Sequence, residues 1–131
     1  MSRFKRDIFI MTDIHTRKDL EWLMEHFYAK LLSDDAINYI FTDVAKINLE
    51  QHLPHIVDFW EQVVLNTGNY KNNVLQIHLD LNEKVKLLPG HFEIWLHHFE
   101  QTVNSRFIGE NASKMITRAV SIATVMKIKL Q

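Results

Sequence analysis

Eight histidines and no cysteine occur in a chain of 131 residues. Histidine can serve as a metal ligand or an acid–base group. The missing thiols exclude disulfide frameworks, zinc–thiolate sites, iron–sulfur clusters, thiol catalysis and covalent haem attachment through C-x-x-C-H. Spacing sorts the histidines. His52 shares a helix face with Ile56, Phe59 and Trp60, and His78 shares one with Val74, Leu75 and Leu79. An imidazole on such an apolar stripe must find a hydrogen bond or a metal, because burying an unsatisfied polar group costs about 1–3 kcal/mol. Each is therefore a satisfied core histidine or a ligand. Tyr28, on the side of Met24 and Leu31, offers a hydroxyl to the interior, and Trp95 places an indole N–H in the middle of an apolar stripe. His15, His26, His55, His91, His97 and His98 fall near helix ends or beside charged neighbours and read as ordinary surface residues, with His91 in the first turn of its helix.

Motif spacing narrows the chemistry further. No H-E-x-x-H string occurs, so a zincin is excluded. A di-iron carboxylate bundle needs Glu-x-x-His pairs, but Met24, Tyr28, Leu53, Val64 and Leu96 stand three residues after Glu21, Glu25, Glu50, Glu61 and Glu93. There is no G-x-S-x-G elbow, P-loop or G-x-G-x-x-G. One histidine on each of two helices, a tyrosine, a tryptophan and many aromatic walls suit a haem pocket, where one imidazole binds iron and distal polar groups meet its ligand.

These residues must be positioned by helices. Glycine and proline number three and two, and apolar positions recur at three and four. A first helix is expected from about Thr16 to Leu32, striped by Leu20, Leu23, Met24, Phe27 and Leu31 and ended by Asp34-Asp35, with Ala36 to Phe41 as a short turn. Asn48 opens a second helix with Gln51 as an imperfect capping box, and Gly68 is expected to stop it. Pro54 either kinks that helix or marks where regular helix begins. A third segment runs from Asn72 to Leu81, a fourth helix from Pro89 to about Asn104, and a last one from Asn111 to about Lys129. Only Asp7 to Met11 hints at period two.

The apolar share is 47%, enough for a core, and the length allows a single domain over residues 1–131, with 1–12 an extended N-terminal segment. Fifteen basic against sixteen acidic residues leave a net charge of −1, which gives no basis for binding a phosphate backbone. The longest stretch without Asp, Glu, Lys or Arg, Gln62 to Tyr70, is far short of a membrane span, and Ile8 to Met11 is too short for a signal-peptide core. An all-α, soluble, cytoplasmic protein is expected.

In order, Phe27-Tyr28 ahead of Leu31-Leu32, Phe41, His52-x-x-x-Ile56-x-x-Phe59-Trp60, Gly68-Asn69-Tyr70, His78, and His91-Phe92-x-x-Trp95-Leu96-x-x-Phe99 form a recognisable series. From about Asp13 to Leu130 the chain resembles the group III truncated haemoglobins. The resemblance implies a globin-like two-over-two helical sandwich with non-covalent haem b. It implies His78 as the proximal iron ligand, and Tyr28, His52 and Trp95 as the distal residues. It implies that Ile56 lies over the iron and that Phe41 packs on the porphyrin, with Phe59, Trp60 and Tyr70 as pocket and support residues. The Lys86-Leu87-Leu88-Pro89 stretch departs from the family's usual Pro-Leu and polar helix cap, and Asn72-Asn73 replaces a glycine often found after the tyrosine matching Tyr70.

With one iron position free, such a protein binds O2, NO and CO. Donors such as the Tyr28 hydroxyl and the Trp95 indole would slow ligand release. The resemblance therefore implies ligand chemistry, such as nitric oxide dioxygenation, peroxidase-like turnover or handling of reactive nitrogen species, rather than O2 transport. An external electron donor is required for any cycle, and a monomer is expected. His52 either gates the pocket or binds iron as a sixth ligand. The alternatives are O2 binding or sensing without turnover and, more remotely, a cofactor-free helical interaction module.

Overall fold

The computed structural model describes residues 10–44, 49–67 and 86–130. Four α-helices lie among them: α1 (Arg17–Leu32), α2 (Leu49–Trp60), α3 (Pro89–Asn104) and α4 (Glu110–Lys129). Helix α1 packs on α2 and on α3, and α3 packs on α4, so the pair α1–α2 lies against the pair α3–α4. This is the expected all-α, two-over-two arrangement. None of the described helices is long and apolar enough to cross a membrane. The segment Asn72–Leu81, including His78, and Tyr70 lie outside the described residues, as do residues 1–9.

Helix α1 begins where the sequence places it. The Thr16 hydroxyl accepts the Asp19 N–H, and the Asp19 carboxylate in turn accepts the Thr16 N–H, which satisfies donors that a helix start leaves open. All five predicted stripe residues are buried, together with Tyr28. Arg17 then ties this end of α1 to α2, with Nη1 donating to Asp58 at 2.7 Å and to Glu61 at 2.8 Å.

Helix α2 runs continuously through Pro54, which is exposed; the missing N–H leaves the Glu50 carbonyl without its usual helical donor on the solvent side. Beyond Trp60 the coil widens into a π-helical turn, Glu61–Leu65, and ends at Asn66 with φ 58° and ψ 23°. Asn66, not Gly68, is therefore the stop. Asparagine enters the left-handed region more readily than most residues, so no glycine is required. Gly68 lies outside the described residues. The expected short turn before α2 continues as a second π-helical turn, Ile40–Val44.

On α3, Phe92, Phe99, Thr102 and Val103 are buried; on α4, so are Ala112, Met115, Ala119, Ala123 and Met126. The alanines keep the α4 face thin, which permits close helix–helix packing. The start of α4 is capped from the other end of the chain. Asp13 accepts the Asn111 and Ala112 N–H groups, both at 2.9 Å, and the Ile14 N–H at 2.8 Å. Burial alone would raise its pKa, but these three donors outweigh it and hold the carboxyl below the usual range. Gly109, at φ 144°, lets the chain pass so close that a Cβ there would overlap the Asp13 carboxyl group.

Asp13→Ala is expected to cost about 1–2 kcal/mol, the magnitude of a lost helix cap. Because the folded-state pKa is depressed, this stabilisation is present above the unfolded carboxylate pKa and fades as pH falls through the folded value. Wild type and Asp13→Ala should therefore differ at neutral pH and converge in acid, read by urea unfolding at several pH values. Gly109→Ala should destabilise through the same contact.

Candidate functional site

Helices α1 and α2 and the turn between them bring three of the predicted residues together. The Tyr28 hydroxyl lies 3.4 Å from His52 Nε2. The Tyr28 ring meets the His52 ring edge-on at 5.8 Å and the Phe41 ring at 6.0 Å. Phe27 stands between Tyr28, at 5.3 Å, and Trp95, at 5.7 Å, so Trp95 joins the cluster through that ring. Trp95 also stacks on Phe99 at 5.4 Å, and Phe99 meets Trp60 at 5.1 Å. Phe59 packs on Trp60 at 5.0 Å.

Burial divides α2 and the π-helical turn that follows it in two. Val57, Trp60 and Val64 are buried in the core, whereas His52, Ile56, Phe59 and Val63, one step round the helix, are half-buried. Trp60 is thus a core residue that supports the site. Phe41, Ile56, Phe59 and Trp95 are all half-buried apolar walls. Burial pushes the Tyr28 phenol well above its ordinary pKa, so the hydroxyl stays protonated and able to donate. Burial, and next the nearby His55, push the His52 pKa down, which favours a neutral ring that can accept or donate at Nε2.

Two of the histidines read as ordinary surface residues are not. His91 Nδ1 accepts the Leu88 N–H at 3.0 Å, and the His91 N–H returns to the Leu88 carbonyl at 2.9 Å. The side chain thus supplies the cap that the Lys86–Pro89 stretch lacks. Its Nε2 lies 3.1 Å from the Tyr39 hydroxyl. His98 is largely buried, and its Nε2 donates to Asp34 Oδ2 at 2.7 Å, joining α3 to the segment just after α1. The His98 hydrogen bond, and then the Ala36 N–H, lower the Asp34 pKa. A histidine three residues into a helix with no polar cap was a readable signal for His91. Asp34 and His98, 64 positions apart, gave none.

An enclosed hydroxyl, an imidazole and an indole among aromatic walls match the donor set of a distal haem pocket. Comparison with known proteins agrees. The chain is 33% identical over 105 residues to the group 3 truncated hemoglobin ctb of Campylobacter jejuni, a match covering 78% of this chain and 80% of the relative. It belongs to the group III truncated haemoglobins. The crystal structure of a group III truncated hemoglobin from Campylobacter jejuni superposes on this globin with a TM-score of 0.81 at 27% identity, covering 93% of this chain and 96% of that one. No protein-family model matches the sequence. As a truncated haemoglobin the chain is a haem globin that binds gases, and the half-open face formed by His52, Ile56 and Phe59 beside Phe41 and Tyr28 fits a flat apolar cofactor with a polar centre.

Proposed function

We propose that this globin binds haem b non-covalently, with His78 as the proximal iron ligand and Tyr28, His52 and Trp95 on the distal side, and that it performs ligand chemistry rather than O2 transport. The absence of cysteine from the chain supports the non-covalent form. When bound, haem supplies an iron with one position open to O2, NO or CO. Ile56, Phe59 and Phe41 would hold the porphyrin by apolar contact, with Trp60 behind them and Tyr70 as a further pocket residue.

The observation that carries this reading is the Tyr28 hydroxyl. It is protonated and enclosed by Phe27, Phe41 and His52, and its only hydrogen-bond partner among the described residues is His52, at 3.4 Å. That contact is longer than a good hydrogen bond, so the hydroxyl can turn to a better acceptor at small cost. A diatomic ligand carrying partial negative charge is such an acceptor, and the Trp95 N–H is the second donor. His52, half-buried beside Tyr28, acts as the gate between pocket and solvent. Turnover of nitric oxide, reactive nitrogen species or peroxide would draw electrons from an external donor.

Stopped-flow O2 release from the wild-type protein tests the proposal. Release much slower than from a transport globin is expected, because two aimed donors stabilise the ligand. Release as fast as a transport globin's would favour carriage and refute the ligand-chemistry reading.

A further inference from the structure

We infer that Tyr39 and His91 form a positioning bridge that sets the distal wall, a role resting on the haem reading above. Tyr39 immediately precedes the π-helical turn Ile40–Val44, which carries Phe41. His91 is the third residue of α3, one helical turn ahead of Trp95. Their 3.1 Å contact therefore joins the element that presents Phe41 to the helix that presents Trp95, across 52 positions of sequence.

The two nitrogens of His91 have separate tasks. Nδ1 accepts the Leu88 N–H and so carries no proton, which leaves the proton of the neutral ring on Nε2. Nε2–H then donates to the Tyr39 oxygen. Capping at one nitrogen fixes the tautomer that bridging needs at the other, in the way that one hydrogen bond to a histidine sets the role of its second nitrogen. The rings also meet edge-on at 6.1 Å. Phe41 touches Tyr28, and Trp95 touches Phe27, so a shift at either end of the bridge moves the cluster around the Tyr28 hydroxyl.

Substitution can separate the two tasks. Glutamine at the third helical position can still accept the N-cap N–H, but it cannot also reach Tyr39. His91→Gln thus removes the bridge and keeps the cap, while Tyr39→Phe removes only the hydroxyl. In wild-type protein, side-chain nitrogen NMR should show His91 protonated on Nε2. In the ferrous CO complex, Tyr39→Phe and His91→Gln should move the Trp95 indole N–H resonance and the CO stretching band in the same direction. The double variant should move them no further, since both changes delete one bond. Thermal unfolding of Tyr39→Phe should stay close to wild type.

An Nδ1-protonated His91 would overturn the cap and its coupling to the bridge, and red, folded variants with both signals unchanged would overturn the bridge itself. A colourless wild type would instead refute the haem reading. The Trp95 resonance would then still report the bridge, shifting if it exists and staying fixed if it does not.

Discussion

Tyr28→Phe should speed O2 release by about 10- to 100-fold. A hydrogen bond to a charged acceptor is worth about 1.5–3 kcal/mol, and each 1.4 kcal/mol is tenfold in an equilibrium or a rate. The phenylalanine ring keeps the contacts with Phe27 and Phe41, so the pocket walls stand and only the donor is lost. The melting temperature should therefore change little, which separates loss of ligand stabilisation from loss of structure. Trp95→Phe should act in the same direction. The double variant should fall short of the product of the two, because both donors serve one ligand. A Tyr28→Phe release rate within twofold of wild type would remove the hydroxyl from the account.

His78→Ala should abolish stable haem binding. The sequence puts His78 on a face with Val74, Leu75 and Leu79, and the function proposed above makes it the iron ligand. The variant should be isolated without a normal Soret band, and free imidazole should restore part of it. It should also lose the stabilisation that a tightly bound ligand confers, about 2.7 kcal/mol at a hundred times Kd. His52→Ala should keep its haem and admit ligands faster, as expected of a gate. The reverse pattern, with haem retained in His78→Ala and lost in His52→Ala, would exchange the two roles.

Local signals carried much of this fold. Thr16 marks the start of α1, Pro89 the start of α3, and Asn111 to Lys129 the extent of α4, and each is found close to where spacing predicts it. What stayed hidden depends on residues distant in sequence. Asp13 caps α4 from 98 positions away, and Arg17 reaches Asp58 and Glu61. No periodicity announces either pairing. The two π-helical turns leave no pattern that distinguishes them from α-helix, because one extra residue per turn is imposed by packing.

The site shows the same division. Tyr28 and His52 were legible as polar groups on apolar stripes, and the structure brings them to 3.4 Å of one another with Phe41 alongside. The apolar stripe of α2 was legible too, but not its division into a buried side (Val57, Trp60) and a half-open one (His52, Ile56, Phe59). That split requires knowing which neighbours α2 meets. His91 and His98 look like surface residues because charge and helix-end position say nothing about Tyr39 or Asp34 arriving from another element.

The most direct test of the account is the absorption spectrum of the purified wild-type protein during titration with haemin. A red protein is predicted, with a Soret band that saturates at one haem per chain and shifts on reduction and addition of CO. A colourless protein that gains no Soret band from haemin would contradict it.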